Sequence, residues 1–224
     1  MYKTALFGGT FNPPHIGHLR LLIEVREALG LDGVEVLPCS VPPHKNIRGI
    51  LPFEIRCAML NAMVAPFQWA TVNTIEGQRQ GPSYTLDTLK LLTEERKAKM
   101  LFVLGAEDFP ALPQWHKGTI LPDVSDLLIV TRGTDTMDGF LAAIEDWPDG
   151  KLQQVSPSLP AVQKEYMTAS GGRVLYLPIP MLEISASLIR ERWLQRRCLA
   201  GLIPESVLDI MEKHEETIRA EWLE

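Results

Sequence analysis

Short, strand-sized apolar runs alternate with longer stretches of helical period along most of this chain, and that alternation is the strongest constraint on its fold. Tyr2–Phe7, Val34–Leu37, Ala70–Ile75, Met100–Leu104, Asp126–Thr131 and Val174–Leu177 read as strands. Between them, Leu19, Leu22, Ile23 and Leu29 fit one helix face, with Gly30 placed to end it. Ile55, Met59 and Met63 mark a second helix over Phe53–Val64. Leu86, Leu89 and Leu92 mark a third, with Ser83 as its expected N-cap. Strands alternating with helices of this length predict βαβ units and therefore an α/β fold with a doubly wound, mainly parallel sheet. Right-handed crossovers would gather the loops after the strands along one rim, where open sheets of this kind bind ligands.

The pattern weakens from Thr134 to Gly172, where Phe140–Ile144 suggests a short helix and Val155–Pro160 an exposed excursion. It returns with a helix starting near Ser187 and a final helix begun by Pro204 and Glu205. That last helix is predicted to carry Val207, Ile210, Met211, Ile218 and Trp222 on one stripe. With 224 residues, no internal repeat and no linker-like segment, the chain reads as a single domain over 1–224, with a small helical part from about 184.

Composition narrows the partners. No apolar run approaches a membrane span, since Leu101–Leu104 and Leu127–Val130 are strand-sized. The opening MYKTALFGGTF is broken by a glycine pair and does not read as a signal peptide, so the expected location is the cytoplasm. Cys39, Cys57 and Cys198 are scattered without CxxC spacing, which favours reduced thiols over disulfides or a zinc site. A formal net charge of −6 disfavours nucleic acid as a partner. A phosphorylated small molecule is still accommodated if basic groups converge on one cleft.

They do so at Gly8-Gly9-Thr10-Phe11-Asn12-Pro13-Pro14-His15-Ile16-Gly17-His18, between the first strand and the first helix. Paired glycines let backbone N–H groups approach an anion, and a helix N-terminus adds aligned donors. His15 and His18, three apart, fall on one helix face, with Gly17 leaving room between them. A Gly-Gly turn alone also serves as a tight connection, and a His-x-x-His pair also occurs on surfaces or in metal sites. All the elements occupying one loop favours a phosphate pocket.

On these residues the chain resembles the HxGH nucleotidyltransferase superfamily, and within it the bacterial nicotinate-nucleotide adenylyltransferase family. The resemblance runs in order from residue 2 to about 210: GGTFNPPHIGH at 8–18, PPHK at 42–45, SYTLDTL at 83–89, FVLGAED at 102–108 leading to Trp115, and ISASLIR at 184–190. It implies a Rossmann-like fold and adenylyl transfer from ATP to nicotinate mononucleotide, giving deamido-NAD and pyrophosphate. Mg²⁺ would enter with ATP and take no ligand from protein side chains.

The resemblance implies that Gly8, Gly9, Thr10 and Phe11 cradle ATP, together with Gly105, Glu107, Ile184, Ser185 and Ser187. His15, His18 and Arg190 would contact its phosphates and act in catalysis, with His18 favoured for the α-phosphate. Lys45, beside His44 on a proline-stiffened loop, would hold the acceptor's phosphate, although such a loop also reads as merely solvated and basic. Ser83, Tyr84, Thr85, Trp115 and His116 would form the acceptor site, with Trp115 stacking on the pyridine ring. A tryptophan here would equally suit a core. The family has Gly-x-Asp where this chain has Gly105-Ala106-Glu107-Asp108; spacing to Trp115 puts Glu107 in the Asp position, and Asp108 could share its ribose contact. His116 stands where Tyr is frequent.

Two readings compete: the same chemistry on nicotinamide mononucleotide or another phosphorylated acceptor, and a nucleotide-binding sensor without turnover. The charged end, Met211–Glu224, is longer than the family's and reads as a solvated amphipathic helix or a homo-oligomer contact. Cys39 has no activating neighbour in sequence and is assigned no catalytic role.

Overall fold

In the computed structural model, which describes residues 2–43, 48–131, 137–148, 152–180 and 182–223, the alternation becomes one sheet with helices on both faces. Its strands are β1 (Thr4–Gly9), β2 (Gly33–Pro38), β3 (Ala70–Val72), β4 (Leu101–Gly105), β5 (Asp126–Val130), β6 (Gln153–Val155), β7 (Lys164–Met167) and β8 (Arg173–Leu177). They lie in the order β3-β2-β1-β4-β5-β8-β7-β6. From β3 to β8 all pairings are parallel, with Ala5 opposite both Val34 and Leu101. The chain winds outward from β1 to β3 and then, from β4, outward the other way. This reversal opens a crevice beyond the carboxyl ends of β1 and β4.

Successive residues of each central strand serve opposite cores. Ala5, Phe7, Leu101 and Val103 face one core, and Leu6, Phe102 and Leu104 the other. Burial on both faces explains why these strands are apolar throughout rather than alternating. The first core is closed by Leu21, Leu22 and Val25 of α1 (Ile16–Leu29) and by Met59, Leu60 and Met63 of α2 (Phe53–Val64). The second is closed by Leu86, Leu89 and Leu92 of α3 (Thr85–Arg96), by Leu121 of the one-turn α4 (Leu121–Val124) and by Phe140 of α5 (Met137–Glu145). Gly30 ends α1 in the left-handed region, φ 61°, and its N–H donates to the Arg26 and Glu27 carbonyls.

Several expectations change. β3 stops at Val72, and the last residue of the expected run, Ile75, begins a 3-10 turn over Ile75–Gln78. Tyr84, not Ser83, is the N-cap of α3; the buried Ser83 hydroxyl instead accepts from the Val41 N–H. The helix expected near Ser187 is α6 (Ala186–Leu194), capped by Ser185. The weakly patterned stretch supplies α5 and also β6 and β7, which add antiparallel strands beyond β8 and were not expected. Both are short and neither carries an apolar run, with β6 at the edge of the sheet and β7 between it and β8.

The final helix is two helices, α7 (Glu205–Lys213) and α8 (Glu215–Leu223), broken at His214. The predicted stripe still packs inward, with Met211 and Ile218 fully buried and Trp222 against the same core. The solvated reading of this end is therefore corrected: its apolar face joins the first core, and α7 lies on α2. Among the described residues, no helix is long and apolar enough to cross a membrane.

Candidate active site

The β1–α1 loop is shaped by close approach. A Cβ on Gly8 would stand 2.9 Å from the Phe102 ring, and one on Gly9 would stand 2.9 Å from the Phe11 ring. Phe11 itself takes a left-handed φ of 51°. Asn12 then ties the loop to a distant segment: its Nδ2 donates to the Gly49 carbonyl at 2.6 Å, and its Oδ1 accepts from the Leu51 N–H at 3.1 Å.

His15 is the N-cap of α1 and His18 its third residue. Each imidazole Nδ1 accepts the other residue's backbone N–H, an arrangement more usual for Ser and Glu in a capping box. The rings stack with centroids 3.6 Å apart, and the edge of Phe11 lies against His18. Both imidazoles are buried and line a cavity.

That cavity, of about 460 Å³, is walled by Gly8–Asn12, both histidines and the N-terminus of α6. Ser185 Oγ accepts from the Leu188 N–H. Arg190 Nη1 donates to the Asn12 carbonyl at 2.8 Å, and Nη2 to Ser187 Oγ at 3.0 Å. Residues at opposite ends of the sequence are thus joined across the crevice. Burial lowers the Arg190 pKa from its ordinary value. Gly105, Glu107 and Asp108 complete the wall after β4.

A second cavity of about 260 Å³ adjoins the first, and the two share Gly8, Gly9, Thr10, Leu104 and Asp108. Its own lining brings together Ser83, Tyr84, Thr85, Trp115 and His116, as the motifs suggested. Trp115 is only partly buried and edges the second core, so it can serve packing and cavity at once. Tyr84 and His116 stack at 4.2 Å. Cys39 also lines this cavity; burial, and next the neighbouring Glu76 charge, push its thiol up to about 12, which leaves it protonated near neutrality.

One expected residue falls elsewhere, and one is not among the described residues. Ile184 packs against the first core and does not line the cavity. Lys45, with His44, lies outside the described residues. Of the acidic pair, Glu107 lines only the first cavity, whereas Asp108 lies where both meet. Sequence reasoning missed Asn12, Arg48, Arg56 and Glu76. Arg48 lines the first cavity and Glu76 the second. Asn12 lay inside the quoted motif, whereas nothing local marks Arg56 as buried. Among the described residues, no group of three His, Cys, Asp or Glu side chains could hold a metal ion.

Comparison with known proteins follows this geometry. A cytidylyltransferase-like family model matches residues 6–192. The chain is 36% identical over 208 residues to a Geobacter metallireducens protein named "Probable nicotinate-nucleotide adenylyltransferase", covering 92% of this chain and 93% of the relative. A Pseudomonas aeruginosa protein of the same name is 30% identical over 214 residues, covering 95% of each. Among solved structures, Plasmodium falciparum nicotinic acid mononucleotide adenylyltransferase complexed with NaAD superposes with a TM-score of 0.72 at 17% identity, covering 97% of this chain and 98% of that one. The shared architecture is the Rossmann-like, mostly parallel sheet described above.

Proposed function

The chain belongs to the cytidylyltransferase-like family, and from that premise we infer that it is a nicotinate-nucleotide adenylyltransferase of NAD biosynthesis. It moves the adenylyl group of ATP onto the phosphate of nicotinate mononucleotide, giving deamido-NAD and pyrophosphate. One observation supports this reading above the others: two cavities, one ringed by phosphate-binding groups and one by aromatic rings, share the glycine wall at the end of β1.

The chemistry suits such a site. An acceptor phosphate oxygen forms a bond to the α-phosphorus of ATP while the bond from that phosphorus to the pyrophosphate oxygen breaks. The acceptor phosphate, with a second pKa of about 6, is already ionised near neutrality, so no general base is needed. The protein must align two polyanions and neutralise the charge that builds up between them. In this reading the Gly8–Phe11 backbone and the α6 N-terminus with Ser185 and Ser187 receive the triphosphate, His15 and His18 donate hydrogen bonds to the reacting phosphates, and Arg190 offsets their charge. Gly105 and the Glu107-Asp108 pair face the ribose side.

Mg²⁺ would be held by the phosphates of ATP and by water, and would offset charge on the phosphate oxygens. On the acceptor side, Trp115 stacks on the pyridine ring, and backbone donors near Thr85 and His116 receive its carboxylate. A charged carboxylate gains more from N–H donors than a neutral amide does, which favours the acid. Ser83 and Tyr84 shape the same wall, and Lys45 is assigned the acceptor phosphate from the motif. One chain lines both cavities, so a homo-oligomer, if formed, is not needed to build them. The reading places the enzyme in the cytoplasm, where ATP is plentiful.

The test supplies ATP and Mg²⁺ with nicotinate mononucleotide, nicotinamide mononucleotide or another phosphorylated alcohol, and measures pyrophosphate release. Fast release is expected with the nicotinate form. Equal rates with the nicotinamide form would remove the specificity, and binding of ATP without release in any arm would leave a sensor.

A further inference from the structure

Arg56 is among the largest fully buried side chains of the protein, 1% exposed, on a helix that supplies no lining residue to either cavity. A guanidinium placed there is costly unless its donors are satisfied. Four of its five N–H groups donate to main-chain carbonyls. Nε donates to Leu51 at 2.8 Å, Nη1 to Thr10 at 2.8 Å and to Cys39 at 2.7 Å, and Nη2 to Ser40 at 3.1 Å. The planar fork thus grips separate stretches of chain in a fixed geometry.

Those stretches are the ones that matter. Thr10 belongs to the glycine wall common to both cavities, and Cys39 lines the acceptor cavity. Glu76 grips the second loop from the other side: its Oε2 accepts from the Ser40 N–H at 3.2 Å, while Thr88 Oγ1 donates to its Oε1 at 2.8 Å. The Ser40 residue therefore has its N–H on a buried carboxylate and its carbonyl on a buried guanidinium. A residue needed only for packing would not require charge.

We propose that Arg56 is a positioning residue that, with Glu76 bracing the far side of Ser40, sets the spacing between the donor-nucleotide loop at Thr10 and the acceptor loop at Cys39–Ser40. The proposal rests on the adenylyl-transfer reading. In that reaction neither loop need lose affinity for its own substrate when the spacing drifts, but in-line alignment fails. A misplacement of about 1 Å costs on the order of 100-fold in rate.

The test uses Arg56→Lys, which keeps the charge and loses the planar fork, together with Arg56→Met and Glu76→Gln. For Arg56→Lys, kcat is expected to fall about 100-fold while the KM values for ATP and for the mononucleotide each stay within about threefold. Glu76→Gln should fall in the same direction by less and carries the test should both Arg56 variants fail to fold. A second readout does not depend on turnover: amide hydrogen exchange should quicken at Thr10–Phe11 and at Cys39–Val41 together. An unchanged kcat with a lowered Tm would make Arg56 a core residue, and a KM rise for one substrate alone would make it a binding residue; either overturns the proposal. Exchange that quickens in only one loop also overturns it. Quickened exchange in both loops, with no turnover by the wild type on any mononucleotide, would support the clamp and remove the functional reading instead.

Discussion

His15 and His18 fix each other: the His15 N–H donates to His18 Nδ1 at 3.2 Å, and the His18 N–H donates to His15 Nδ1 at 3.3 Å. With both Nδ1 lone pairs occupied, a neutral ring carries its proton on Nε2. The capping box therefore does two jobs. It satisfies the start of α1, and it selects the tautomer in which each imidazole can donate to a phosphate oxygen.

These jobs separate by substitution. His18→Asn keeps an acceptor near the Nδ1 position but removes Nε2, so kcat should fall by about 10²- to 10³-fold with little change in stability. His18→Ala should lose the same activity and, in addition, about 1 kcal/mol of stability from the missing cap. Steady-state kinetics and a thermal melt check both. If ATP affinity falls while kcat is unchanged, the histidine binds the ground state and transition state equally, contrary to the assignment.

Gly17 lets the rings stack. A Cβ there would stand 3.0 Å from His15 Nδ1 and 3.1 Å from its Cε1, so the ring must move by a few tenths of an ångström. Alanine favours a helix over glycine by up to about 1 kcal/mol, which opposes that strain. Gly17→Ala is thus expected to leave Tm within a few degrees and to lower kcat by about tenfold. Full activity in the variant would show that the stack tolerates displacement.

Much of this was legible in the residues themselves. The apolar runs of β1, β4 and β5 and the helical period of α1 and α3 are local signals, and they specify the parallel sheet and its ligand rim. The loop at 8–18, the tryptophan and the serine-capped helix were each readable because their chemistry lies in contiguous residues. What escaped depends on contacts distant in sequence. Arg56 reaches Thr10, 46 positions away, and looks like any polar residue of a helix until α2 is packed. Asn12 grips Gly49 and Leu51 by the same logic. Strand β7 takes its structure from pairing with β8, and the edge strand β6 from pairing with β7, not from apolar periodicity. The division of the last helix at His214 likewise leaves the predicted stripe intact, because both halves follow the same core.

Trp115 separates packing from recognition. Because it is only partly buried, truncation should cost less stability than loss of a core tryptophan, which runs to about 3–5 kcal/mol. Stacking on a flat ring is worth about 1–3 kcal/mol by alanine substitution. Trp115→Ala is therefore expected to raise KM for the mononucleotide by about tenfold or more, with KM for ATP held. An unchanged mononucleotide KM with a large drop in Tm would return Trp115 to the core.

Glu35 gives the fold a pH dependence away from the site. Arg96 donates to both of its oxygens at 2.7 Å, and Asn73 Nδ2 donates to Oε2 at 3.0 Å. Burial alone would raise this carboxyl, but the hydrogen bonds from Arg96 and Asn73 outweigh it and hold the group below its ordinary 4.5. A depressed folded pKa means that the unfolded chain binds the proton more readily. The resulting stability is complete above the ordinary carboxylate range and is lost as pH falls through the folded value. Glu35→Gln should accordingly cost about 1 kcal/mol at pH near 7, modest because the pair is partly exposed. Urea midpoints of wild type and variant should converge as the pH falls below the ordinary carboxylate range. A gap that persists or widens in acid would mean that the carboxylate's charge is not what Arg96 stabilises.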